Sequence, residues 1–250
     1  MVSLYEEEAK EEMIRWKRKL GKSQSMTGRF AKKWQKKMNT FIPEKVHSVV
    51  TVSVKHMVQA TLTGSEYISK KELDLTTTFE EREQEVQELF RTYKNTAIAE
   101  GIGTGAGGIL LGMADFPLLL SIKMKCLFDT AITYGYDCRE FQERLFLLTI
   151  FQLAFSEGEE RAKLLERVEN WEDYAKQLPT NPEDPLTMDW KAFQLSYRDF
   201  IDLPKMLQLI PGFGAVVGAA ANSHFLDLLK VTAMNSYRMR MLTQGEGPNL

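Results

Sequence analysis

Apolar residues recur every three or four positions along almost the whole chain, rather than every second position. This spacing is typical of amphipathic helices, and the polar positions between them are rich in Glu, Lys, Gln and Arg, which favour helix. Only segment 44–63, which is rich in β-branched valine, makes a strand a competing prediction. Pro43 suits the first turn of a helix that enters at Glu44, so we predict helix there as well. The pattern indicates an all-α protein of about nine helices.

Several local signals predict where helices begin and end. Thr78 and Glu81 have the spacing of a capping box and predict a helix start. In Tyr134-Gly135-Tyr136-Asp137, Gly135 is expected to end one helix and Asp137 to cap the next. The segment 156–159 is a second candidate capping box. Residues 179–186 contain three prolines and predict a loop.

Glycine is concentrated in two short segments, since nine of the 16 glycines lie within residues 101–112 and 212–218. Residues 103–108 match the spacing of a phosphate-binding loop, but no strand is predicted before them and no Gly-Lys-Ser/Thr follows. Small residues four apart instead leave one helix face bare, so that another helix can approach closely. We predict that the two glycine-rich helices pack together in the core, with a shallow or re-entrant membrane segment as the alternative. The predicted packing positions are Gly101, Gly105, Gly108, Gly112, Gly214, Gly218 and Asn222.

Four short motifs together resemble a known protein family. They are Ala99-Glu100-Gly101 with Gly105–Gly108, Ala114-Asp115-Phe116-Pro117, Tyr134-Gly135-Tyr136-Asp137, and Ile210–Gly214 continuing through Gly218 to Asn222 and Phe225. In this combination, over about residues 80–240, the chain resembles the EcsC-type bacterial proteins, which are named for a gene that adjoins an ABC-transporter operon in bacilli. The resemblance implies an all-helical fold and, through the genomic association, an accessory role beside a transporter. It implies no reaction and no catalytic residue.

The composition excludes some functional classes. Two cysteines and three histidines in 250 residues cannot supply a disulfide framework or a Cys/His metal cluster. We therefore predict no metal, no cofactor and no catalytic residue. The acidic start lacks the basic and apolar regions of a secretory signal, which favours a cytoplasmic location.

Two acids stand out because they are the only charges in residues 97–122. Asp115 precedes Phe116-Pro117 and is expected to cap a helix. Glu100 has no such local role, and a buried carboxylate needs a cation or a raised pKa. A structural salt bridge is favoured over catalysis, and the candidate partners are Lys123, Lys125, Arg238 and Arg240.

The net charge of −2 conceals an uneven distribution. Between Met13 and Asn39 there are ten basic side chains and no acid, whereas residues 41–250 carry a net charge of −8. Trp16 and Leu20 share one helix face, and Met26, Phe30, Trp34 and Met38 follow at four-residue steps. Aromatic and methionine side chains on one side and lysines on the other are typical of a helix that lies on an anionic membrane surface. The predicted membrane- or anion-binding residues are Arg15, Trp16, Arg18, Lys19, Arg29, Phe30, Lys32, Lys33, Trp34, Lys36 and Lys37.

Other interpretations of the basic segment remain open. The same helices could dock on the acidic remainder of the chain, or the lysines could neutralise nucleic-acid phosphates. We predict an amphipathic basic arm over residues 1–42, an all-α domain over 43–242 and a tail over 243–250. The leading hypothesis is a non-enzymatic protein peripheral to the cytoplasmic membrane face, with an anionic membrane and a transporter component as its expected partners. The alternatives are a lipid-binding protein or enzyme that uses the glycine-rich helices, and a nucleic-acid binder that uses residues 13–40.

Overall fold

The structure, a computed structural model, describes residues 3–22, 44–64, 67, 73–105, 116–156, 158–178 and 214–243. These residues form eight helices: α1 Leu4–Lys22, α2 Glu44–Thr63, α3 Phe79–Gly105, α4 Phe116–Tyr134, α5 Phe141–Phe155, α6 Gly158–Glu169, α7 Trp171–Ala175 and α8 Gly214–Thr243. No strand occurs in this part of the chain, so the all-α prediction is confirmed, including the helix at 44–63. The predicted helix at 27–38 lies outside the described residues.

Helix α5 forms the centre of the core. All its residues except Gln142 are buried, which its nearly unbroken apolar sequence requires. The buried Arg144 is satisfied by backbone carbonyls, and its Nε donates to the Leu62 oxygen at 2.8 Å, which ties α5 to the end of α2. Helix α4 is buried along most of its length beside α5.

Helices α3 and α8, which include the described parts of the two glycine-rich segments, share the most extensive helix–helix contact among the described residues. Glu83 near the start of α3 meets Arg238 near the end of α8, and Lys94 meets Asp227, so the two helices run antiparallel. Gly101 lies about five turns beyond Glu83 and hence on the same face of α3. The pairing of the two helices is therefore observed, while close contact at the glycines themselves stays a prediction.

Two predicted helix boundaries are confirmed. The Thr78 amide donates to the Glu81 carboxylate at 2.8 Å, and the Glu81 amide donates to the Thr78 hydroxyl at 3.3 Å, which is a complete capping box. Helix α4 ends at Tyr134, and Gly135 follows with φ 92°, a backbone conformation that favours glycine.

Two other predicted caps are wrong. Helix α5 begins at Phe141 after Glu140, while Asp137 accepts a hydrogen bond from the Arg139 amide at 2.8 Å within the preceding turn. Ser156 does not open α6, because its hydroxyl donates to the Gln152 carbonyl at 2.7 Å and so closes α5. The Ser156 hydroxyl therefore bonds back into the helix that precedes it rather than forward into the helix that follows.

Helix α1 lies against α8 and α3. Ala9 and Met13 are buried in the contact, and Trp16 packs half-buried against the same core. The Tyr5 ring lies 6.1 Å from the Phe79 ring at the start of α3. The first part of the predicted basic arm is therefore folded and packed against the other helices.

Candidate functional site

Four charged and two aromatic side chains form a cluster beneath α1, which we call the buried ionic cluster. Its members come from α3, α4, α5 and α8, and each is buried: Glu83, Glu143, Arg238, Arg240, Tyr134 and Tyr237. The distance in sequence between these residues means that only the folded chain brings them together. The cluster is the most elaborate polar arrangement in the described structure.

The Glu83 carboxylate receives four hydrogen bonds. Its Oε1 accepts from Arg238 Nε at 2.7 Å and from the Tyr134 hydroxyl at 3.0 Å. Its Oε2 accepts from Arg238 Nη2 at 2.6 Å and from the Tyr5 hydroxyl of α1 at 2.9 Å. A carboxylate has about four acceptor positions, so Glu83 is fully satisfied without water. The bidentate geometry is the strong form of an arginine–carboxylate pair.

The second half of the cluster is centred on Glu143 of α5. Its oxygens accept from the Tyr237 hydroxyl at 2.6 Å and from Arg240 Nη1 at 2.7 Å. The Arg240 guanidinium also donates to Glu172 at 3.0 Å and lies 3.9 Å from the centre of the Tyr136 ring. The two halves meet where the Tyr134 and Tyr237 rings stack at 4.7 Å.

The chemistry of the cluster favours a structural role over catalysis. Burial, and then the neighbouring Glu83 and Glu143 carboxylates, raise the pKa of Tyr134 and Tyr237 well above the ordinary value. These phenols therefore stay protonated and act as hydrogen-bond donors. Although burial opposes the charge of Arg238, its bonds to Glu83 raise its pKa, so the guanidinium stays charged. No group of three or more His, Cys, Asp or Glu in the described residues is arranged to hold a metal ion.

The exposed side of α1 changes sign along its length. Its first half presents acids, including Glu7, Glu8 and Glu11, whereas Arg15, Arg18 and Lys19 are exposed in the second half. Ile14 lies among these cations and is 37% exposed. Helix α1 therefore carries a basic surface with one apolar side chain at the end that leads into residues 23–43.

Two ion pairs join α1 to other described helices, and they have opposite polarity. Lys17 Nζ lies 2.9 Å from Glu169 of α6, whereas Glu12 lies 3.0 Å from Arg238 Nη1 of α8. Arg15 pairs with Glu11 within α1 at 3.2 Å. Arg15, Arg18 and Lys19, the exposed cations in the second half of α1, thus form no described ion pair with another helix.

The predicted site residues fall into three groups. Arg15, Arg18 and Lys19 are exposed on α1, while Trp16 is half-buried against the core. Glu100, Gly101, Gly105, Gly214, Gly218 and Asn222 lie in the backbones of α3 and α8, and their side-chain contacts lie outside the described part of the chain. Arg29, Phe30, Lys32, Lys33, Trp34, Lys36, Lys37, Gly108, Gly112 and Asp115 lie outside the described residues altogether.

Three of the four candidate partners of Glu100 pair with other acids among the described residues. Arg238 pairs with Glu83, Arg240 pairs with Glu143, and Lys125 pairs with Asp129 at 2.8 Å. These three cations therefore have acidic partners among the described residues, and the salt bridge of Glu100 stays a prediction because its side chain lies outside the described part of the chain.

A groove of about 280 Å³ lies along the described seam of α3 and α8. Most of its lining is charged or amide side chains: Gln87, Glu88, Arg91, Lys94, Asp227 and Lys230. Lys94 Nζ closes one side by bonding both Asp227 oxygens at 2.8 Å. This lining suits water better than an apolar ligand.

Comparison with known proteins places the chain in a family. The sequence model of the EcsC protein family matches residues 7–242. The chain is also 46% identical over 237 residues to Protein EcsC of Bacillus subtilis (strain 168), covering 95% of this chain and 96% of that protein. The chain belongs to the EcsC protein family. The family match begins within α1, so the helix that carries the basic surface is part of the EcsC sequence and not an addition to it.

A second relative is more distant. The chain is 31% identical over 150 residues to the uncharacterized protein YdbA of Bacillus subtilis (strain 168), which covers 60% of this chain and 54% of that protein. No solved structure matches the chain.

Sequence reasoning missed Glu83 and Glu143 as members of the buried ionic cluster. Glu83 stands in a run of acids and amides that looks solvated, but it shares one helix face with the buried Val86 and Phe90. Glu143 is the only acid in α5. In both cases an acid in phase with an apolar row was the available signal.

Proposed function

We propose that this EcsC protein is a non-enzymatic peripheral protein that binds an anionic membrane surface at the cytoplasmic face through its basic segment. The observation that carries the proposal is the exposure of Arg15, Arg18 and Lys19 on a helix that is otherwise docked on the body. These cations begin the run of ten basic side chains, without an acid, that extends to Asn39.

The polarity of the α1 contacts supports a use for this charge outside the body. If the basic run served to attach α1 to the acidic body, its cations would face body acids. Of the two described pairs, only Lys17–Glu169 has that polarity, while Glu12–Arg238 has the reverse. The charge-complementary docking alternative therefore accounts for one described cation of the basic run, Lys17, whereas three others of that run, Arg15, Arg18 and Lys19, are exposed.

The energetic scale fits membrane binding. Each lysine or arginine near an anionic leaflet contributes about 1 kcal/mol, so Arg18 and Lys19 contribute about 2 kcal/mol before residues 23–39 are counted, and Arg15, which is paired with Glu11, adds less. Cations alone give weak, reversible attachment, and apolar side chains such as Ile14 are needed beside them. None of the described helices combines the length and apolar composition that a membrane crossing requires.

Vesicle flotation of the full chain tests the proposal. The protein is expected to float with vesicles of phosphatidylglycerol and phosphatidylcholine at low salt, to float less as salt rises, and to remain unbound with phosphatidylcholine alone. The Arg15→Glu/Arg18→Glu/Lys19→Glu variant should lose most of its flotation. Charge reversal at Arg91, Lys163 and Lys176, whose side chains are 74%, 62% and 75% exposed on the body, changes the net charge by the same amount; it is the matched control and should change flotation little.

Three results would contradict the proposal. The first is equal flotation with neutral and anionic vesicles at every salt concentration. The second is an equal loss of flotation in the α1 and control variants, because that would reflect net charge alone. The third is retention on duplex DNA, sensitive to the α1 substitutions, without vesicle binding, which would favour the nucleic-acid alternative.

A role beside an ABC transporter is a further part of this proposal. It is supported by the genomic association from which the family takes its name, and it assigns no residue in this chain. The polar groove of α3 and α8 gives no support to an apolar-ligand function in the described residues.

A further inference from the structure

We propose that α1 is a releasable strap that detaches as a unit from the other helices, which we call the body. Binding of the basic segment to an anionic surface increases the fraction of molecules in which α1 is detached. The second half of this inference rests on the proposed function, whereas the first half stands on the packing of α1 alone.

Helix α1 is shallowly buried for its length. Of its described residues only Ala9 and Met13 are buried, and Tyr5, Trp16 and Leu20 are half-buried. Helix α5, by contrast, is buried at every position but one. Elements with few buried apolar contacts open at a lower free energy than the core. The apolar contact of α1 therefore favours opening of this helix before the body unfolds.

The polar contacts of α1 can break without leaving a buried charge unpaired. When Tyr5 departs, Glu83 keeps three of its four hydrogen bonds, since the two from Arg238 and the one from Tyr134 come from the body. Arg238 loses Glu12 but keeps its bidentate partner. Glu12 itself has a side chain 58% exposed, so water can replace the lost bond. The body is thus electrostatically complete without the strap.

Release of α1 changes which of its side chains a membrane surface can contact. In the docked position Trp16 lies half-buried against the core, while Arg15, Arg18 and Lys19 already face outward. Trp16 can enter a membrane interface only after it leaves the core, and there an indole adds apolar anchoring to the cations. A surface that gains from Trp16 binds the released state more tightly and so shifts the population towards it.

A pair of tyrosine variants tests the strap. Tyr5→Phe removes the bond that α1 makes to Glu83, and Tyr134→Phe removes the matched bond that the body makes to the same carboxylate. Native-state hydrogen exchange of the full chain is expected to show α1 amides exchanging at least about tenfold faster than those of α5. Tyr5→Phe should raise α1 exchange by about a further tenfold without changing α5, whereas Tyr134→Phe should not accelerate α1 selectively.

Equal protection of α1 and α5 in the parent protein would overturn the strap, as would a selective effect of Tyr134→Phe on α1 equal to that of Tyr5→Phe. Flotation with phosphatidylglycerol vesicles tests the coupling, because Tyr5→Phe changes no charge at neutral pH and lies away from the basic end. Its apparent affinity should rise, by at most the factor by which its opening rises, because the docked state also presents cations to the surface. An unchanged affinity would overturn the coupling and leave the membrane function standing, while failure of the parent protein to float would contradict both.

Discussion

Substitution of Glu83 by glutamine should strongly destabilise the fold, because it removes one charge from a buried pair. The carboxylate is fully buried, and the Arg238 side chain that it binds is 7% exposed. After Glu83→Gln, the only anionic partner left to Arg238 among the described residues is Glu12, which is mostly exposed. Breaking a buried pair by removing one partner costs about 3–5 kcal/mol. That is a large part of the roughly 5–15 kcal/mol by which domains are stable.

Urea unfolding followed by circular dichroism measures this change. The matched control is Glu88→Gln in the same helix, where the side chain is 71% exposed and lies 3.5 Å from Arg91. A surface pair of this kind contributes about 0.5 kcal/mol or less, so the control should unfold close to the parent protein.

A double substitution shows whether the loss comes from the unpaired charge. Glu83→Leu with Arg238→Met removes both charges and should recover much of the stability that Glu83→Gln loses, since apolar replacement of a buried pair is often neutral or stabilising. A loss below about 1 kcal/mol for Glu83→Gln would refute the reasoning. A double variant whose loss of stability equals the sum of the losses of Glu83→Leu alone and Arg238→Met alone would also refute it.

Three further predictions concern the core. Tyr136→Phe should leave stability nearly unchanged, because its buried hydroxyl has no hydrogen-bond partner in the described structure, whereas Tyr134→Phe should cost about 1.5–3 kcal/mol; equal losses in chemical denaturation would contradict this. Gly101→Leu, on the face of α3 that meets α8, should lower the stability by about 1–3 kcal/mol. Gly103→Leu, about 200° around the helix, should lower it little. If thermal unfolding ranks the two variants the other way, the contact with α8 lies on another face of α3. Burial raises the pKa of Tyr134 and Tyr237 well above the ordinary value and that of Tyr136 to about 12, so these tyrosines ionise first in the unfolded chain, above about pH 10. The free energy of unfolding should therefore fall as the pH rises, by up to about 1.4 kcal/mol per pH unit for each tyrosine. A stability that is flat between pH 10 and 12 would refute this prediction.

Signals that act over a few residues predicted the structure well. The capping box of Thr78 and Glu81 and the stop at Gly135 lie within one turn of the backbone groups that they satisfy, so sequence alone identifies them. The Asp137 cap was wrong because this carboxylate binds the amide and the guanidinium of Arg139 in a turn, and α5 begins only at Phe141.

The buried ionic cluster could not be predicted in the same way. Glu83 and Arg238 are 155 residues apart, and pairing them requires the antiparallel register of α3 and α8. The sequence indicated that an acid among apolar residues needs an arginine, but it drew attention to Glu100 because that residue is isolated in sequence. Glu83 is hidden by the acids beside it, although its helical phase places it in the core.

Helix α8 supplies both arginines of the cluster and lies at the end of the described chain, which has a consequence for synthesis on the ribosome. Glu12 and Arg238 are 226 residues apart, a separation that translation covers in roughly 10–45 s. During that interval α1 has emerged without the helix on which it docks, and Glu83 and Glu143 have no arginine partners from α8. Helix α1 is thus made well before the helix on which it docks, and its buried face, with Met13, stays uncovered until α8 has been synthesised.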